Sequence, residues 1–261
     1  MILTAENYFS PEAEQVYMGS TQFKRFMDCE ARALAVLRGE WKEEESTALL
    51  VGSYVDAHFS RTLDLFKAQH PEIFKKDGTL KSDYEHANYI IQRIERDEMM
   101  MRYLSGGVQT IMTGEIEGVP FKIKIDSYHA WKCLVDQKIV KDFEPVWDVE
   151  QRRWVPFVEY WGYDNQAAIY TEIERQNRGP GAEPLPFLIA AATKEKPEPD
   201  LAIILIPQER VEVCLDVVRA YAPRFQAIKQ GLEEPRRCEK CDYCRATKKL
   251  TRIIDYRELS A

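Results

Sequence analysis

No apolar run in the chain approaches the ~18 residues that crossing a bilayer requires. The opening stretch MILTAENYFSPEAEQ has no basic segment followed by an apolar one, so no secretory signal is expected and the protein is placed in the cytoplasm. A surplus of positive charge is missing too: the formal net charge is -7. That balance excludes a generally basic surface that coats nucleic acid, but not a few Lys and Arg focused in a cleft. Internal repeats and low-complexity tracts are absent, which removes solenoids and disordered linkers from consideration. Histidine is scarce, with four in the chain. His70, His86 and His129 have no spacing that suggests a site, which leaves His58.

What is present is the material of an ordinary globular fold. The chain has 261 residues, 45% hydrophobic and 30% charged, enough to bury a sizeable core. After a loosely ordered lead-in over residues 1–19, Ser20 is positioned to cap a helix over about 21–38, closed by Gly39. A charged linker follows at 41–45. Ser46 then caps a helix to about Gln69, with Val51, Val55, Phe59 and Leu63 on its apolar face. Ser82 and Glu85 have the spacing of a capping box for a third helix, to about Leu104. Strands are expected near 108–116 and 119–127, joined by a tight turn at Glu117-Gly118, and near 131–139. A loop over 141–155, a helix over 157–177, strands near 187–193 and 200–206, and a helix over 208–230 complete the order. This is an α/β chain, a central mixed sheet flanked by helices.

The chemistry concentrates in two adjacent strands. In FKIKIDSY, Phe121, Ile123 and Ile125 alternate with Lys122, Lys124 and Asp126, so the apolar set is expected in the core and Asp126 away from it. In WKCLVDQKIV, Asp136 and Lys138 share a face, with Gln137 between them. If the strands are neighbours, Asp126, Asp136 and Lys138 converge. Two carboxylates can hold Mg²⁺ or Mn²⁺, ions that take oxygen ligands, keep several waters and lower the pKa of an attacking one. A lysine beside them can orient or deprotonate that water. A D-x-K triplet alone turns up by chance about once in a chain of this length. The ordered set of apolar strand, Asp, second strand and D-x-K says more.

That set, with G-S-Y-V-D-A-H at 52–58, V-D-Q-K at 135–138 and Q-x-x-x-Y at 166–170, resembles the RecB/RecE branch of the PD-(D/E)XK nucleases, and most closely the phage-type RecE-like exodeoxyribonucleases. The resemblance runs from S-T-Q-F-K-R-F-M-D-C at 20–29 to the last cysteines. It implies a PD-(D/E)XK restriction-endonuclease-like core and Mg²⁺-dependent degradation of linear double-stranded DNA from an end, leaving single strands for DNA recombination. It implies metal ligation by His58, Asp126, Asp136 and the backbone carbonyl of Gln137, with Lys138 as the catalytic lysine. It also puts Gln166 and Tyr170 at the edge of the active site. Without the resemblance, His58 on a helix reads as a core histidine, and Gln166 and Tyr170 as helix-to-sheet packing; Glu115 reads as an exposed strand residue that could stand near the metals. The family commonly has Thr after the lysine, where this chain has Ile139. By analogy, a ring-shaped homo-oligomer and a single-strand annealing protein as partner are expected. The alternatives are a RecB-like or CRISPR-adaptation nuclease acting on single-stranded ends and a non-catalytic zinc-stabilised DNA-binding protein. One PD-(D/E)XK domain is expected over 1–261, with a helical part at 20–104, the nuclease core at 105–230 and a cysteine-containing tail at 231–261.

Of the six cysteines, Cys238, Cys241 and Cys244 form C-x2-C-x2-C. In a reducing compartment that spacing suggests metal before disulfide. Such a site lacks a fourth ligand, and Cys29 becomes the candidate because related nucleases pair one early cysteine with three late ones around an iron–sulfur cluster. The possibilities are [4Fe-4S], Zn²⁺ or free thiols.

Overall fold

The computed structural model describes residues 1–44 and 46–257, so Glu45 of the charged linker and the last four residues of the tail lie outside the described part. The lead-in holds a short helix, α1 (Pro11–Val16), which Ser10 caps by accepting from the Ala13 N–H and Pro11 opens with its preset φ. The first expected helix is two, α2 (Ser20–Asp28) and α3 (Glu30–Leu37), because Cys29 between them is extended, with φ -166° and ψ 108°. The second is also two. Ser46 caps α4 (Thr47–Phe59) as expected, but Arg61 adopts a left-handed φ of 62° before α5 (Leu63–Gln69). The third divides into α6 (Ser82–Glu95) and α7 (Glu98–Leu104), where Asp97 accepts from the Met100 N–H. The capping box does not form: Lys81 precedes α6, and Glu85 pairs with Lys75 instead.

Strands β1 (Gly107–Ile116) and β2 (Val119–His129) form the expected hairpin, with Glu117 and Gly118 both at positive φ, as a two-residue primed turn requires. Then come β3 (Cys133–Val140) and a small ribbon, β4 (Val146–Asp148) with β5 (Arg153–Val155), in the stretch expected to be loop. The helix expected over 157–177 is broken at Gly162, φ 70°, into α8 (Phe157–Tyr160) and α9 (Tyr163–Arg178). Strands β6 (Phe187–Thr193) and β7 (Leu201–Ile206), the long α10 (Gln208–Lys229) and the short α11 (Asp242–Ala246) follow.

Five strands make one sheet in the order β1-β2-β3-β6-β7. The β3–β6 pair is parallel and the others antiparallel, which makes the sheet mixed as expected. Two apolar clusters flank it. One joins α2, α9 and α10 to Phe121, Ile123, Ile125, Leu134 and Ile189. The other joins α4, α6 and α7 to Val135, Ala190 and Ala192. Fully burying each large apolar side chain contributes about 1.5–3 kcal/mol, so both layers hold the sheet rigidly.

One irregularity positions the site. β2 and β3 pair only from Ser127↔Val135 to His129↔Cys133, while β3 stays paired with β6 from Leu134 to Val140. Further along β2, Met18 takes the vacant edge: its N–H donates to Pro120 O at 2.8 Å, and its carbonyl accepts from the Lys122 N–H at 3.1 Å. The two central strands therefore fork, and a cleft opens between the prongs.

Candidate active site

Asp126 and Asp136 stand where the fork opens. Asp126 Oδ2 accepts from the Gln137 N–H at 2.9 Å, so a side chain takes over the pairing that the strands abandon. Asp136 is buried, accepts from Gln166 Nε2 of α9 at 2.6 Å, and forms an ion pair with Lys138 through its other oxygen. Lys138 also lies 5.1 Å from the ring centre of Tyr163. The three residues expected to converge, Asp126, Asp136 and Lys138, thus line one cleft of about 1350 Å³.

Their electrostatics are those of crowded carboxylates. Burial, then the neighbouring Asp136 and Asp56, push the Asp126 carboxyl up to about 8, against the pull of Lys138 and the Gln137 N–H. Burial alone would lower Lys138, but Asp136 and Asp126 outweigh it and raise the ammonium to about 12. At neutral pH the lysine here is a cation.

The third acid is Asp56 of α4, which the sequence reasoning missed. Burial raises its carboxyl, while Lys124 and Lys138 oppose the shift. Gln109 connects it to Asp126: the Nε2 amide lies 3.4 Å from Asp56 Oδ1 and 3.3 Å from Asp126 Oδ1. Gln109 does this from a left-handed backbone, φ 52°, inside β1. A side chain in that region costs roughly 1–2 kcal/mol. Strain of this kind gathers at functional sites.

His58 is not with them. Its Nε2 is 2.8 Å from Glu95 Oε1 on α6, and it does not line the cleft. A helix turns about 100° per residue, so two positions separate Asp56 and His58 by roughly 200°. The structure does not bring His58 to the carboxylates; from the same helix it is Asp56 that lines the cleft. Tyr170 lines the cleft, but its hydroxyl donates to the Lys124 carbonyl at 3.1 Å and its ring is buried, so it braces β2. Glu115 is exposed at the turn end of the β1–β2 hairpin, opposite Pro120 and outside the cleft.

The cleft walls reverse the charge of the whole chain. Eight Lys and Arg line it against four carboxylates, although the net charge is -7. Lys24, Arg25, Arg38, Lys124, Lys141 and Lys194 contribute outside the acidic floor. Two exposed aromatics join them. Phe9 has Lys124 4.6 Å from its ring centre, and Trp161 has Lys24 at 5.2 Å, with that ammonium also donating to the Trp161 carbonyl. Cations with aromatic faces are what a polynucleotide strand needs for its phosphates and bases.

Away from the cleft, Cys29 meets Cys238, Cys241 and Cys244. These four gather as a group of potential metal ligands within 4.8 Å; among the described residues no other such group of three or more forms.

Residues 19–247 match the model of a family described as a PDDEXK-like domain of unknown function (DUF3799). Among solved structures, the chain is similar to a protein from Eubacterium rectale provisionally named an exonuclease. The TM-score is 0.93 and the identity 45%, over 100% of this chain and 99% of that one. No curated protein matches.

Proposed function

The chain belongs to the PDDEXK-like family, and on that footing we propose that it is a divalent-metal-dependent exodeoxyribonuclease of RecE-like type, which degrades linear duplex DNA from an end and leaves single strands for recombination. The observation that carries the proposal is the convergence of Asp126, Asp136 and Lys138 on the floor of a cleft with basic walls. The donor set suits a hard cation. It is all oxygen, and Asp126 is pushed up to about 8 by burial and the neighbouring acids, a repulsion that a divalent ion would relieve. Asp126 and Asp136 would hold the ion, with Asp56 beside them and the Gln137 carbonyl as a further ligand. When bound, Mg²⁺ or Mn²⁺ supplies an acidified water and neutralises charge on the phosphate oxygens.

The chain's own residues do the rest. Lys138, kept as an ammonium, orients the attacking water and meets the negative charge that grows on the phosphate. Gln166 fixes the carboxylate of Asp136 by its hydrogen bond. The lysines and arginines of the walls bind the flanking phosphates. A ring-shaped homo-oligomer that encircles the duplex, with an annealing protein to receive the product strand, belongs to the same proposal.

One gel assay tests it. Linear duplex should be degraded with Mg²⁺ and spared with EDTA, closed circular duplex should be spared throughout, and single-stranded product should accumulate. Nicking of circular DNA would mean an endonuclease. The exposed Phe9 and Trp161 favour one second reading, an enzyme that starts on single-stranded ends. Faster digestion of a tailed or single-stranded substrate than of blunt duplex would select it. Tight DNA binding with no cleavage under any divalent metal would leave a non-catalytic binding protein.

A further inference from the structure

Two distant parts of the chain meet at four thiols. Cys29 is the extended residue between α2 and α3, and Cys238, Cys241 and Cys244 lie just before and within α11. None is in a disulfide. All four Sγ atoms lie within 4.8 Å of one another; Cys29 to Cys244 is 3.6 Å and Cys238 to Cys244 is 3.9 Å.

Those separations favour one of the possible occupants. A tetrahedral ion with metal–sulfur bonds of about 2.3 Å spaces its sulfurs about 3.8 Å apart. A four-iron cluster places irons and sulfides between the cysteines and needs their sulfurs roughly 6 Å apart. The thiols as they stand, at 3.6 and 3.9 Å and all within 4.8 Å, match the single ion more nearly than the cluster. The short C-x2-C turns add backbone donors, with Cys241 N–H to Cys238 Sγ at 3.3 Å and Cys244 N–H to Cys241 Sγ at 3.5 Å. Such donors stabilise thiolate charge. The Arg237 guanidinium, bonded to the Cys244 carbonyl at 2.6 Å, brings a cation alongside. Cys29 and Cys244 are buried, and four protein sulfurs leave no position for a water, which is the pattern of a structural site.

We propose that Cys29, Cys238, Cys241 and Cys244 bind one tetrahedral divalent ion of the zinc class. The ion staples the C-terminal tail to the α2–α3 junction. Because α2 carries Lys24 and Arg25 into the cleft, the staple also fixes one of its basic walls. The site is independent of the nuclease chemistry and stands or falls separately.

Metal analysis of the full chain, purified anaerobically without added metal, tests it. About one zinc per chain in colourless protein is expected. Replacement by Co²⁺ should give the strong visible bands of a tetrahedral cobalt thiolate. Asp126→Asn with Asp136→Asn should keep that zinc, which separates it from any ion at the carboxylates. Cys244→Ser should lose most of it, and Cys133→Ala, at a thiol outside the group, should not. If Cys244→Ser fails to fold, titration of the wild type with a mercurial should still release the zinc as four thiols react. Iron with acid-labile sulfide in brown protein would overturn the proposal. So would folded, metal-free protein in which Cys238 and Cys241 react freely.

Discussion

Replacing Asp126 with Asn should stabilise the metal-free protein while abolishing its activity. The folded chain holds the Asp126 proton up to about pH 8, because burial, Asp136 and Asp56 all penalise the carboxylate. The unfolded chain releases it near the ordinary aspartate value of about 4. Between those values the folded state binds more protons than the unfolded one, so stability falls as pH rises through that window. A difference of about four pKa units sets a ceiling of roughly 5–6 kcal/mol at pH 8 and above. The three carboxylates share that penalty and the site relaxes, so an expected gain for Asp126→Asn is about 1–3 kcal/mol at pH 8. Asparagine keeps an oxygen for the Gln137 N–H, so the pairing at the fork survives.

In a protein of this size that gain corresponds to roughly 2–6 °C in Tm. The assay is thermal or urea unfolding of both proteins in EDTA at pH 5 and pH 8, repeated with Mn²⁺. The variant should be the more stable at pH 8, and its advantage should shrink by more than half at pH 5. Mn²⁺ should raise the Tm of the wild type, and more so at pH 8, where it competes with fewer protons. It should raise that of the variant little. A variant no more stable than wild type at pH 8, or an advantage that grows toward pH 5, would refute the crowded-carboxylate account.

Lys138→Met should lower cleavage at least 100-fold and leave DNA binding within about threefold in a binding assay with Ca²⁺, since the ammonium is assigned to the chemical step; activity within tenfold of wild type would remove it from that role. Asp56→Asn should cost at least 100-fold in metal-dependent activity, whereas His58→Ala, whose ring pairs with Glu95, should change it less than about threefold. The reverse ranking would restore His58 as the ligand. Duplex binding should weaken by about tenfold or more between roughly 50 and 200 mM salt, because phosphate contacts to the cleft lysines and arginines release counterions. An affinity that stays flat over that range would count against the cleft as the DNA track.

Much of the frame was legible because it rests on local rules. The alternation of Phe121, Ile123 and Ile125 and the turn at Glu117-Gly118 specify the hairpin. Asp136 and Lys138, two apart on a strand, must share a face. The C-x2-C-x2-C run lacked a fourth ligand, and Cys29 does meet it. Helix continuity was misjudged at Cys29, Arg61 and Gly162, where one residue leaves the helical region within an otherwise unbroken pattern. Met18 was invisible for another reason: it pairs with β2 across about a hundred residues, and nothing local marks it as the strand that opens the fork. Asp56 did leave a trace. Val51 and Val55 fill one side of α4, so Gly52, Ser53 and Asp56 form a small, polar stripe on another, and a carboxylate on such a stripe faces open space. A motif matched by its histidine hides that phase; a helical projection of 47–59 exposes it.

The same places that defeated local reasoning are where the molecule spends its stability. Gln109 holds a left-handed φ in a strand, β2 and β3 give up their ladder after three pairs, and Asp56, Asp126 and Asp136 crowd together with Lys138 and Lys124 as their near cations. None of these improves packing, and each departs from the rule that its surroundings obey. The two apolar layers on either side of the sheet offset them. A fold selected for stability alone would zip β2 to β3 and place Val or Ile at 126 and 136. That three such departures meet at one cleft argues for a functional site on physical grounds that owe nothing to family resemblance.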